Sequence, residues 1–183
     1  MVLPGHIAGG FIATNIILSL INHNLSLSQV QLMYILGSLS GEIPDIDLLL
    51  FYFKKNKKTD STHREYITHA PLFWLIVSIM ISLLGIVIGS KLVIISGIIL
   101  LAGTWSHFIL DSIEDGIRWL WPISNKTFCL IKEKTEQNSY GKKIGSLSYY
   151  VEYIRREYFR KVSFYAEIVV VIIAIFIFFG IDW

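Results

Sequence analysis

Four of the five histidines in this 183-residue chain, together with three aspartates, have types and spacing suited to metal chemistry. In TWSHFILDSIEDG, His107 and Asp111 are four apart, so on a helix they share a face, as metal-ligand pairs on helices do. The same spacing also suits a buried imidazole bonded to a carboxylate. GEIPDIDLLLFYF sets Asp45 and Asp47 directly against an apolar run, where a carboxylate is costly unless something compensates its charge. STHREYITHAPLF carries His63 and His69, with Arg64 between them, and MVLPGHIAGG carries His6. Together His6, Asp45, Asp47, His63, His69, His107 and Asp111 offer nitrogen and oxygen donors and no thiolate. That set suits zinc, manganese or iron and is large enough for one or two ions.

The elements that must position these residues are membrane helices. The chain is 54% hydrophobic and 16% charged, with mean hydropathy +0.58, outside the range of an ordinary soluble domain. Stretches at about 7–21, 30–53, 70–89, 92–113 and 162–181 approach the roughly 17–25 residues a spanning helix needs, the first being short. The expected fold is all-α: one membrane domain over residues 1–183, with about five transmembrane helices. The opening has no basic region ahead of its apolar run, so a cleaved signal peptide is not expected. Cys129, the only cysteine, rules out an internal disulfide.

Basic residues set the expected orientation. KKNKK at 54–58, Arg64, and ten Lys or Arg between Arg118 and Lys161 fall on one side of a five-helix arrangement, leaving Lys91 alone on the other. The positive-inside rule then places the N-terminus, the KKNKK loop and residues 114–161 in the cytoplasm. The lysine runs read as orientation signals rather than as a nucleic-acid surface. With this topology His6, Asp45 and His107 each lie roughly 20–25 Å from the outer ends of their helices, near the inner face of a core about 30 Å thick. A polar site at the inner leaflet is expected; His23, in the outer turn INHNLS, reads as a solvated loop residue.

Local chemistry adds detail. Pro44 lacks an N–H and disfavours helix before it, so the chain is kinked or ends its helix there. Thr68 is the expected N-cap of the third helix, with Pro71 in its first turn. Arg64 is a candidate clamp for phosphate through its planar fork of donors. Glu42 and Glu167 are either partners of the ligands or side chains that reach the interface.

These segments resemble a family of bacterial and archaeal inner-membrane proteins described as metal-dependent hydrolases, the LexA-binding, YdjM-like family. The resemblance rests on His6 with Gly9 and Gly10, Pro44 to Asp47, His63 with Arg64, Thr68 with His69, Ser106 to Asp111, and Trp121 to Ser124, over roughly residues 1–130. It implies an all-helical membrane fold, a metal site and a hydrolytic activity. Two positions depart from the pattern: Ala70 follows the second His where many members have Ser, and Glu114 with Asp115 replace a Thr-containing stretch, so Asp115 is left out of the ligand set.

The last third reads as an inner loop with a short hairpin around TFCLI, then an aromatic and basic helix in LSYYVEYIRREYFRKV suited to the headgroup level. The expected function is a hydrolase, with zinc or manganese, of phosphoester or pyrophosphate bonds in a membrane lipid or lipid-linked substrate. Arg64, Asp111 and Asp45 are its candidate catalytic residues. The alternative is a non-enzymatic regulator with a structural metal site whose basic loops bind a cytosolic protein. A metal transporter fits poorly, because the outer halves of the helices offer almost no polar groups.

Overall fold

The computed structural model of the chain describes residues 3–47, 64, 66–131 and 147–181. They form α1 (Leu3–Leu20), α2 (Leu27–Ser40), α3 (Pro71–Val87), α4 (Lys91–Asp111), α5 (Leu147–Arg156) and α6 (Val162–Gly180), with 3-10 turns at Ile43–Asp45, Ile67–His69 and Tyr158–Arg160. The fold is all-helical: among the described residues the one extended pairing is an isolated antiparallel bridge between Ile117 and Phe128, where a hairpin around TFCLI is expected.

Local sequence explains where the helices begin and stop. Ser26 caps α2 in a capping box with Gln29, which satisfies two backbone N–H groups at once. The second apolar stretch, expected to be helical over 30–53, leaves the α-helix at Ser40: Gly41 and Glu42 form a turn, and Pro44 sits in a 3-10 turn. At about 1.5 Å per residue, the 14 residues of α2 reach only about 21 Å. Ala70, not Thr68, is the N-cap of α3, because Pro71 takes the first helical position. Gly89, at φ 68°, makes the tight turn between α3 and α4 that a side chain would strain.

Three helices, α1, α4 and α6, are long and apolar enough to cross a membrane, and α3 is a shorter apolar helix of 17 residues. Length and composition therefore support three spans, with α3 and α2 shorter, where about five are expected from the sequence.

Helix α4 is the hub, packing against α3, α1 and α2, while α6 lies along α1. Close approach depends on glycine: a Cβ on Gly10 of α1 would stand 2.1 Å from the Gly37 carbonyl oxygen of α2, and one on Gly103 of α4 would stand 2.7 Å from that same oxygen. Small residues let membrane helices pack backbone to backbone in this way. Leu18, Met33, Tyr34, Ile95 and Ile99 fill the core between α1, α2 and α4. Trp74, Leu100, Phe108 and Ile117 fill a second core nearer the site.

Candidate metal centre

The start of α1, the turn after α2, the turn before α3 and the end of α4 meet at one end of the bundle, and each brings a polar side chain into it. His6, Asp47, His69, His107 and Asp111 are all buried there, and Asp45 is 19% exposed. His63 lies outside the described residues. Six of the seven expected donors therefore come together at one place.

Two of the imidazoles are fixed in orientation. His107 Nδ1 lies 2.8 Å from the Gly41 carbonyl oxygen, which can only accept, so Nδ1 carries the proton and Nε2 presents a lone pair. His69 Nδ1 lies 3.2 Å from Asp47 Oδ2, which also accepts from Thr68 Oγ1 at 3.0 Å. Trp74 Nε1 donates to the Thr68 carbonyl at 2.7 Å and locks the turn that carries His69. Such partners set the ring and tautomer of metal-bound histidines.

Ring nitrogens of all three imidazoles converge on two further carboxylates. Asp111 Oδ1 is 3.3 Å from His6 Nε2, while its Oδ2 is 3.6 Å from His69 Nε2 and 3.7 Å from His107 Nε2. Asp45 Oδ1 is 3.8 Å from His107 Nε2 and 3.9 Å from His69 Nδ1. Among the described residues, His6 Nδ1 and His107 Nε2 have no hydrogen-bond partner.

Most of these separations are long for hydrogen bonds; ligands each about 2.1 Å from a metal stand about 3–3.5 Å apart, so the His6–Asp111 pair already has that spacing and the others need to close by a few tenths of an ångström around an ion. A neutral His107 aims its Nε2 lone pair at carboxylate oxygens, which a cation between them would make favourable. Two groups of donors have the required compactness: His6, His107 and Asp111, and Asp45, His69 and His107. His107 belongs to both but has only Nε2 to offer, so it serves one ion at a time. Asp47 belongs to neither group; it stands behind His69 as the orienting carboxylate.

Arg64 borders the site. Its guanidinium is 2.8 Å from Asp115 Oδ2 and 3.5 Å from Asp111 Oδ2, its side chain is 25% exposed, and its Nε has no hydrogen-bond partner among the described residues. Arg118 holds the Arg64 carbonyl at 2.9 Å. Asp111 and Asp115 share the Arg64 guanidinium, while Asp45 and Asp47 face His69, so the end of the bundle gathers four carboxylates that a divalent cation would help to compensate.

A model of the YdjM inner membrane protein family matches residues 1–182. The chain belongs to the YdjM inner membrane protein family. Comparison with curated proteins and with solved structures returned no match. The family match covers the last third, where the short motifs of the sequence suggest a resemblance only to about residue 130. The family is one of inner membrane proteins, in keeping with helices α1, α4 and α6 being long and apolar enough to cross a membrane.

Sequence reasoning missed Gly41. A Cβ there would lie 2.2 Å from the His6 carbonyl oxygen, so glycine lets the turn after α2 pass against α1 and present its own carbonyl to His107. The one signal was a glycine beside a proline-containing acidic turn.

Proposed function

We propose that the chain is a membrane-embedded, metal-dependent hydrolase of phosphoester or pyrophosphate bonds in a lipid or lipid-linked substrate. The observation that carries this reading is the convergence of three imidazoles on Asp45 and Asp111 at 3.3–3.9 Å, with a half-buried arginine at the rim.

His6, His107 and Asp111, with Asp45 and His69, would hold a transition metal such as zinc or manganese. When bound, such an ion supplies an acidified water and stabilises negative charge. Asp47 and Gly41 keep His69 and His107 aimed inward. Asp111, buried with both oxygens facing imidazoles, serves as a ligand, and the more exposed Asp45 is the better placed to take a proton from water. Arg64 is anchored by Asp111 and Asp115, and its partly exposed guanidinium would stabilise charge on a phosphate at the rim. With the topology set by the basic loops, the site opens at the cytoplasmic headgroup plane, which favours a substrate presented by lipid.

The test is hydrolysis of a panel of soluble phosphoesters, lipid phosphates and lipid pyrophosphates by metal-loaded protein, with Arg64→Ala alongside. Release of phosphate from a lipid-linked member, lowered at least about tenfold by Arg64→Ala, is expected. Failure to cleave any member overturns the hydrolase reading.

A further inference from the structure

His6 differs from the other two histidines of the centre. His69 and His107 each have Nδ1 bonded to a fixed acceptor, whereas among the described residues His6 has no acceptor on Nδ1 and meets only the candidate ligand Asp111, 3.3 Å from Nε2; it is fully buried and stacked on His107 with ring centroids 4.0 Å apart. Its aim is therefore set by packing and by the backbone of α1.

That backbone is gripped from α6. Glu167 is a buried carboxylate, 6% exposed, in an otherwise apolar helix, where a charge is costly without a purpose. Its Oε1 accepts the Gly5 N–H at 3.0 Å, one residue before His6, and its Oε2 accepts the Tyr158 hydroxyl. The Gly5 N–H belongs to the first turn of α1, whose amides lack partners within the helix and favour negative charge. A second tie runs from the same end of α6: Val162 N–H donates at 2.8 Å to Glu114, three residues beyond Asp111. The C-terminal segment thus touches the chain next to two of the metal donors.

We infer that Glu167, held by Tyr158, is a positioning residue that aims His6 at the metal, an inference that rests on the metal reading above. The C-terminal third is then a working part of the centre and not only a membrane anchor.

The experiment is titration of metal-stripped, detergent-purified full chain with Co2+, following visible absorption, for wild type, Glu167→Ala, Glu167→Gln and Tyr158→Phe. Glu167→Ala is expected to weaken Co2+ binding by about 10–100-fold and to alter the absorption of the bound ion, the usual cost of losing a group that orients a ligand. Glu167→Gln keeps an acceptor for the Gly5 N–H and is expected to restore most of the affinity, while Tyr158→Phe falls between. A folded Glu167→Ala with wild-type affinity and spectrum overturns the inference and leaves the metal site standing. If Glu167→Ala does not fold, Tyr158→Phe decides instead: wild-type affinity and spectrum in that variant overturn the inference. A wild type that takes up no Co2+ removes the metal reading, and this inference with it.

Discussion

His107 commits Nδ1 to the Gly41 carbonyl and turns Nε2 toward Asp45 and Asp111, an arrangement suited to a cation between them. Asp47 does for His69 what Gly41 does for His107, so Asp47→Asn is expected to lower metal affinity by about 10–100-fold without removing the site; competition with a chelator measures it, and unchanged affinity would return Asp47 to a purely structural role. His69 adds a pH dependence. Burial pulls its imidazole down, but the neighbouring Asp111 and Asp47 carboxylates outweigh this and raise it to about 9 in the metal-free chain. A proton must then leave His69 before an ion can bind, so metal affinity is expected to rise with pH up to about 9 and to level off above it. Calorimetry in buffers of different ionisation enthalpy reads the released proton, and uptake without proton release at about pH 7 would contradict it. The sequence made the donors visible by type and by the four-residue spacing of His107 and Asp111. It could not separate ligand from orienting group, because Asp45 and Asp47 are two apart and only the turn around Pro44 decides which one faces the ion.

Among the elements, the four that carry donors meet because glycines let α1, α2 and α4 approach closely. Gly10→Ala would drive a Cβ into the rigid Gly37 carbonyl, so a loss near the upper end of the about 1–3 kcal/mol cost of overpacking is expected. Gly180→Ala, at the end of α6 with nothing within 4 Å, is the matched silent change. Thermal unfolding in detergent distinguishes them, and equal melting temperatures would deny the close packing its role. Helix existence was legible from apolar runs, as in α4 and α6. Helix ends were less so: the second apolar stretch continues well past Ser40 in hydropathy, yet Gly41 and Pro44 stop the helix there. Thr68 looked like a cap, but Pro71 fixes the start of α3 and frees Thr68 to bond Asp47.

For the whole molecule, the distribution of basic residues predicts that the end of the bundle holding the site faces the cytoplasm. Cys129, the single cysteine and partly exposed, reports on this directly. A membrane-impermeant maleimide is expected to label it in inverted vesicles and not in intact cells whose outer barrier is opened; the reverse pattern would invert the topology. The last third was the least legible part, since its role depends on contacts such as Glu167 to Gly5, which are 162 positions apart in the chain and leave no local pattern. The central claim is that the buried His and Asp cluster holds a metal. Metal content by mass spectrometry on detergent-purified protein, comparing wild type with a folded Asp111→Asn variant, tests it most directly. One or two equivalents of a transition metal in the wild type, lost or reduced in the variant, is the predicted result. No metal in either protein, even after reconstitution, would contradict it and leave the cluster as a hydrogen-bonded structural network.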